Sequence, residues 1–145
     1  MKAFHFSLQR VLEWRALQQR TEEEKLSSLQ QTLSALLMRD KELQTSLLKS
    51  ELDLRARPSI PAFEIGALTG FRRRIELERK NLRTATFKVE CEIDAQRKKL
   101  LQARRDYRIL EKLRARKYAE WSYLNDREIE NIAADAFLAQ WTRPE

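Results

Sequence analysis

The fold is decided by residues 68–141, which read LTGFRRRIELERKNLRTATFKVECEIDAQRKKLLQARRDYRILEKLRARKYAEWSYLNDREIENIAADAFLAQW. This stretch has no proline and a single glycine near its start, so nothing within it ends a helix. The same helical phase recurs every seven positions, at Leu68, Ile75, Leu82, Val89, Gln96, Ala103, Leu110, Lys117 and Leu124. Such spacing is typical of a coiled-coil seam. A helix of this length would span roughly 110 Å and needs a partner along its length.

A second seam precedes a proline-rich turn. Leucines at alternating steps of three and four form it, with Asp40 and Ser50 as polar interruptions, namely Leu26, Leu29, Leu33, Leu36, Leu43, Leu47 and Leu54. Pro58 and Pro61 end that helix. The sequence therefore predicts an all-α fold, a long antiparallel two-helix coiled-coil hairpin formed as a single domain by residues 1–145. Helix one is expected at about residues 7–57, the turn at 58–66 and helix two at about 67–141, so that the second helix overhangs the first.

The position of the turn also predicts which residues face each other. A turn centred near Ser59 pairs residues whose numbers sum to about 120 in an antiparallel hairpin. Asp40 is then expected beside Lys80, Glu22 opposite residues 97–99, and Arg15 opposite residues 104–106.

The C-terminal overhang, residues 121–145, has an apolar face that helix one is too short to cover. Its members are Trp121, Leu124, Ile129, Ile132, Ala133, Ala136, Phe137 and Trp141. We expect this segment either to bend back or to be covered by a partner. A protein groove suits it better than anionic lipid, because its polar face is acidic.

The composition excludes most catalytic chemistry. The 145 residues include one histidine, one cysteine and two glycines, which leaves no catalytic triad, no metal site and no glycine-rich phosphate loop. We therefore expect a protein that is not an enzyme and has no cofactor. The lone Cys91, expected to be exposed, and the lack of a signal-like N-terminus predict a reducing, cytoplasmic location.

The charge is strongly positive and uneven. The chain has a net charge of +7 and a pI of about 9.8, and ten basic residues lie between positions 97 and 117. Such a segment is compatible with nucleic acid, which it would bind through salt-dependent phosphate contacts, or with an acidic protein surface. Two alternatives stay open at this point: a basic coiled coil that binds nucleic acid, and a homodimeric scaffold or adaptor.

Two motifs lie at opposite ends of the chain. The first is Phe4-x-Phe6-x-Leu8-Gln9-x-Val11-Leu12-x-x-Arg15, and the second is Leu110-Glu111-Lys112-Leu113-x-x-Arg116. Together they resemble the FliJ family, the central-stalk proteins of the bacterial flagellar export apparatus, which are related to the stalks of virulence type III secretion. The resemblance covers essentially the whole chain. It implies an antiparallel coiled coil like the rotor subunit of rotary ATPases, cytoplasmic and peripherally associated with the inner-membrane face of the export apparatus. Both the flagellar and the virulence system remain possible.

The resemblance also implies partners and contact residues. The hexameric export ATPase ring would contact Leu8, Val11, Leu12, Arg15, Arg105, Leu110, Glu111, Lys112, Leu113 and Arg116. The large membrane protein of the export gate would contact Phe71, Ile75 and Leu82, for which plain seam packing is the alternative. Export chaperones are further expected partners. No specific nucleic acid is expected, and the chain by itself should be a monomer at micromolar concentration.

Overall fold

The structure, a computed structural model, describes residues 3–141, and they form two long helices that pack against each other. Helix α1 is Gln9–Arg55 and has 47 residues, and helix α2 is Ala62–Trp141 and has 80. No strand occurs within residues 3–141. The chain divides into two compact units: unit 1 joins the residues up to Arg20 to those from Leu101 onward, and unit 2 is Thr21–Leu100.

Unit 2 is held together by the two predicted seams. Leu43, Ile75 and the amide of Gln96 are buried seam positions, and Ile93 and Leu100, which the predicted seam did not include, are buried beside them. Every other predicted seam leucine of α1 is at least half-buried, and so are Leu68, Leu82 and Val89 of α2. Burial of these apolar side chains is the main source of stability, because roughly 25 cal/mol is gained for each Å² of apolar surface removed from water.

Ion pairs and hydrogen bonds between the helices border the seam of unit 2. Arg79 Nε donates to Asp40 Oδ1 at 2.8 Å, and Arg39 Nη2 donates to Glu78 Oε1 at 2.9 Å. Arg72 likewise pairs with Glu51, and Gln96 with Glu22. The residue numbers in each pair add up to about 120, as the turn position predicts. Asp40 bonds to Arg79, next to the expected Lys80.

The turn is shorter than predicted, and the prediction that helix two starts at residue 67 is wrong. Helix α2 begins at Ala62, directly after Pro61, whose carbonyl accepts a bond from the Glu64 amide at 3.0 Å. Proline suits the position just before a helix, because it has no N–H that would need a partner there. Gly66 is therefore helical, without a positive φ. Helix α1 starts at Gln9 and ends at Arg55, each two residues inside the predicted bounds.

Aromatic side chains pack together at one end of unit 1. Phe6, Leu12 and Ala103 are buried. The ring of Phe4 packs edge-on against Tyr118, with centroids 5.2 Å apart, and lies 5.8 Å from the ring of Trp121. Phe4 and Phe6 both precede α1. They belong to an apolar segment before the first helical turn that is not itself helical.

The seam prediction fails beyond Leu110. Lys117 and Leu124 are exposed, Leu124 to 63%, whereas Leu113 and Trp121 are half-buried in their place. The physical reason is that the segment around Phe4, rather than a helix, covers α2 here. All described side chains from residue 126 to 140 are exposed, and the side chain of Trp141 and residues 142–145 lie outside the described part of the chain.

Candidate partner-binding surface

The two stretches that resemble the stalk family lie against each other in unit 1. Leu8 and Leu113 line one groove together with residues of the Phe4 segment and with Lys117, Glu120, Trp121 and Leu124. This agrees with the predicted register, in which facing residue numbers sum to about 120 and Arg15 lies opposite residues 104–106. Helix propensity and the apolar seam position residues 9–15 of the first stretch and all of the second, since α1 and α2 run through them, whereas residues 4–8 precede α1.

The apolar residues of these stretches divide into covered and accessible ones. Leu12 is only 6% exposed and belongs to the core of unit 1, and Leu110 and Leu113 are half-buried. Leu8 and Val11 are 36% and 41% exposed. Leu12 therefore supports the surface from inside, and a partner would meet Leu8 and Val11.

Arg15 is fixed between three neighbours. Its Nη1 lies 2.9 Å from Asp106 Oδ2 and donates to Gln18 Oε1 at 2.9 Å. Its guanidinium also lies 4.7 Å from the centre of the Trp14 ring, within the range of a cation–π contact. The expected position of Arg15 opposite residues 104–106 is confirmed by this ion pair, which joins α1 to α2 within unit 1.

The remaining charged candidates point outward. Arg105, Glu111, Lys112 and Arg116 are all exposed. Within the described residues, none of the four takes part in a side-chain hydrogen bond or an ion pair. By contrast, the neighbouring Lys117 pairs with Glu120 at 2.8 Å. The four side chains can therefore bind a partner without first breaking an ion pair.

The residues expected to contact the export gate lie in unit 2 and are largely covered. Ile75 is 3% exposed, and Phe71 and Leu82 are half-buried. Phe71 and Ile75 lie in a groove that also includes Leu43, Arg39 and Arg74. These positions serve seam packing in this structure, and only parts of Phe71 and Leu82 are accessible from outside.

Two carboxyl groups have pKa values below their ordinary range. Hydrogen bonds from Arg79 lower the pKa of Asp40, and a hydrogen bond from Lys25, followed by one from Gln96, lowers the pKa of Glu22. Partial burial opposes both shifts. The pKa of Arg79 is raised in turn by its bond to Asp40. These groups stay charged at neutral pH, and we assign them to joining the helices rather than to chemistry.

The cluster of Phe4, Tyr118 and Trp121 was not predicted from the sequence. The numbers of Phe4 and Tyr118 sum to about 120, so aromatic residues at both ends of the register were the signal available. The bond from buried Gln96 to Glu22 lies next to the expected position of Glu22 opposite residues 97–99.

The described residues include no candidate metal site. Within residues 3–141 there is no group of three or more His, Cys, Asp or Glu side chains arranged to hold an ion. The same part of the chain has no helical stretch long and apolar enough to cross a bilayer. Cys91 is exposed, as expected.

Compared with protein-family models, curated proteins and solved structures, the chain matches none of them.

Proposed function

We propose that this chain is the non-enzymatic central stalk of a bacterial type III protein export apparatus, most simply the flagellar one. It would insert into the hexameric export ATPase ring, promote the ring's assembly and activity, and link the ring to the membrane protein of the export gate. The supporting observation is in unit 1, where residues 8–15 lie against residues 106–113 and leave Arg105, Glu111, Lys112 and Arg116 exposed and unpaired among the described residues.

The finer description of the fold belongs to the same proposal. We propose that α1 and α2 form an antiparallel coiled coil, as the stalk role requires. The heptad spacing of Ile75 and Leu82, their burial, and the constant sum of the paired residue numbers support it. A stalk works inside the ring without a second copy of itself, so the chain is expected to act there as a monomer.

The chemistry of the exposed side chains suits a stalk inside a ring. A single chain cannot present the same surface to six identical subunits, so its contacts must be weak and exchangeable. Exposed ion pairs contribute only about 0–1 kcal/mol each, which meets this requirement better than deeply buried apolar anchors. Lys112, Arg116 and Arg105 would meet carboxylates on loops inside the ring, and Glu111 would meet a basic residue.

The gate contact is proposed for the accessible parts of Phe71 and Leu82, with Ile75 supporting them from inside. Export chaperones are further proposed partners. The location that follows is cytoplasmic, peripheral to the inner-membrane face of the apparatus.

The test measures the rate and the hexamer population of the export ATPase while the purified chain is titrated in at fixed ionic strength. We expect a saturable rise in both, lost when the chain is truncated before Leu110. The variant Lys112→Glu with Arg116→Glu should lose most of the stimulation, because its charges would repel the ring's carboxylates. A matched control, Arg73→Glu with Arg74→Glu, makes the same charge change in unit 2 and should stimulate normally.

Three results would speak against this function. Equal stimulation by the two double variants would show that Lys112 and Arg116 are not contact residues for the ring. No stimulation of either a flagellar or a virulence ATPase, together with salt-sensitive binding to duplex DNA, would favour a nucleic-acid-binding coiled coil instead. No stimulation and no DNA binding would favour the scaffold or adaptor.

A further inference from the structure

One face of α2 in unit 1, on the side away from the seam, is exposed along its length. We call it the outer face and define it by Leu101, Arg108, Lys112, Ala119, Asp126, Glu130 and Phe137, all of which are exposed. The steps between consecutive members are seven or four residues, so they lie on one side of a helix. Seam residues such as Ala103 and Leu110 lie on the opposite side.

The order of residues on the outer face is symmetric in position and opposite in charge. The steps read 7, 4, 7, 7, 4, 7 about Ala119, the same in both directions. Both charged residues before Ala119 are basic, and both after it are acidic. The two ends, Leu101 and Phe137, are apolar and are 52% and 60% exposed. A helix with this pattern is complementary to a reversed copy of itself.

The pairing that a reversed copy would make is specific. With Ala119 opposite Ala119, Lys112 faces Asp126, Arg108 faces Glu130, and Leu101 faces Phe137. Because the pairing is two-fold symmetric, each contact occurs twice, and the small side chain at the axis lets the two helices approach closely.

The charges concerned are available for this pairing. Within the described part of the chain, Arg108, Lys112, Asp126 and Glu130 form neither side-chain hydrogen bonds nor ion pairs. A partner that is purely acidic would match only residues 108–116, and a purely basic one only residues 126–130. A second copy running in the opposite direction matches both halves.

We propose that this face binds a second copy of the chain in an antiparallel, two-fold symmetric dimer centred on Ala119. The contacts are exposed ion pairs with two apolar contacts at the ends, so association is weak and salt-dependent. The chain is then a monomer at micromolar concentration, as expected for a stalk, and the dimer forms as the concentration rises.

The dimer also has a regulatory consequence, which rests on the proposed function. Lys112 is part of the dimer interface and also of the surface proposed to bind the ATPase ring, and Arg116 lies beside it. Dimer formation and ring binding therefore exclude each other, which makes the dimer a storage form of free stalk. The self-association itself does not depend on the ATPase, and its test uses the purified chain only.

Equilibrium sedimentation of the full chain from micromolar to millimolar concentration, at low and at high salt, is the first measurement. We expect a monomer–dimer equilibrium that weakens with salt. Lys112→Glu alone and Asp126→Lys alone should each weaken it at least about tenfold, because each places like charges opposite each other twice. The double variant, Lys112→Glu with Asp126→Lys, restores opposite charges and should restore the dimer. Arg10→Glu, an equal charge change in α1, should leave it unchanged.

A cysteine at the symmetry axis provides a second readout. In a Cys91→Ser background, Ala119→Cys should form a disulfide-linked dimer on mild oxidation, whereas Ala133→Cys, far from the axis, should not. Circular dichroism of each variant checks that the helices are retained. A chain that stays monomeric at millimolar concentration and low salt, a double variant that fails to dimerise, or equal disulfide formation at residues 119 and 133 would overturn the proposal.

Discussion

Gln96 is a buried amide in an otherwise apolar seam. It is 7% exposed, and its Nε2 donates to the Glu22 backbone carbonyl at 3.1 Å and to the carboxylate of the same residue. A polar residue in a seam costs stability compared with leucine, but its hydrogen bond is made in only one register. We infer that this bond selects the pairing of residues 22 and 96 over pairings shifted by a helical turn.

Replacing Gln96 with alanine is expected to lower the free energy of unfolding by about 1–2 kcal/mol, because the variant loses a buried hydrogen bond and buried side-chain volume. Urea unfolding followed by circular dichroism measures it. The control is Gln30→Ala, an exposed position on α1, where we expect a change below about 0.5 kcal/mol. Equal effects at both positions would show that the buried bond contributes nothing.

The Asp40–Arg79 pair makes stability depend on acid pH. The bond from Arg79 holds the pKa of Asp40 below its ordinary value of 3.8, so the unfolded state binds this proton more readily than the folded state. The contribution of the pair is therefore complete above the ordinary pKa and is lost as the pH falls through the lower pKa of the folded state. The Glu22 carboxyl, whose pKa is also lowered, acts in the same direction.

Asp40→Asn is expected to lower the free energy of unfolding by about 0.5–1 kcal/mol at neutral pH. The difference from the unmodified chain should shrink towards zero once the pH lies below the folded-state pKa of Asp40, where the aspartate is protonated as well. Urea titrations at several pH values measure this, with the exposed Asp53→Asn as control. A difference that stays constant across the acid range would contradict the assigned pKa shift.

At the scale of the element, α2 tolerates two glycines in its first turns without needing them. Neither Gly66 nor Gly70 has a positive φ, and a Cβ added at either position meets nothing within 4 Å. Glycine inside a helix costs about 0.5–1 kcal/mol relative to alanine, because it has more conformational freedom to lose on folding.

Gly66→Ala and Gly70→Ala are each expected to raise the free energy of unfolding by about 0.5–1 kcal/mol. The matched reverse change, Ala67→Gly in the same exposed helical stretch, should lower it by a similar amount. Thermal and urea unfolding of the three variants provide the comparison. If Gly66→Ala instead lowered the stability, residue 66 would belong to a turn, as the sequence predicted for residues 58–66.

The phase of both helices could be predicted from the sequence because the heptad pattern and the turn position fix it. The positions of Ile75, Leu43 and Ala103 follow from spacing alone. Beyond Leu110 the same rule fails at Lys117 and Leu124, because it assumes a helical partner, and the covering residues around Phe4 are not helical. No sequence rule for coiled coils includes such a segment.

For the candidate site, the sequence predicted which two stretches lie against each other but could not separate exposed residues from covered ones. Neighbouring residues on a helix point about 100° apart, so one residue of uncertainty in phase exchanges inside and outside. Leu12 is covered and Val11 is accessible for this reason. The same uncertainty explains why Arg79, and not the adjacent Lys80, bonds to Asp40.

At the scale of the whole molecule, basic and acidic residues are concentrated on different parts of α2, which gives partners two surfaces of opposite charge. The net charge is +7, yet the described residues beyond Trp121 are mostly acidic among their charged members. The basic part of α2 is thus suited to acidic partner loops, and charge attraction of this kind raises association rates more than affinity. We expect stimulation of the ATPase to fall steeply as ionic strength rises, which rate measurements in a salt series can check.

Direct contact between α2 and the ATPase ring is the central claim. The measurement that tests it places a photo-crosslinking amino acid at Lys112 in one preparation and at Arg73 in another, and exposes each to the assembled hexameric ATPase. We predict that the probe at residue 112 crosslinks to the ATPase and that the probe at residue 73 does not. Crosslinking from residue 73 only, or from neither position while the ATPase is hexameric, would contradict the proposed stalk role.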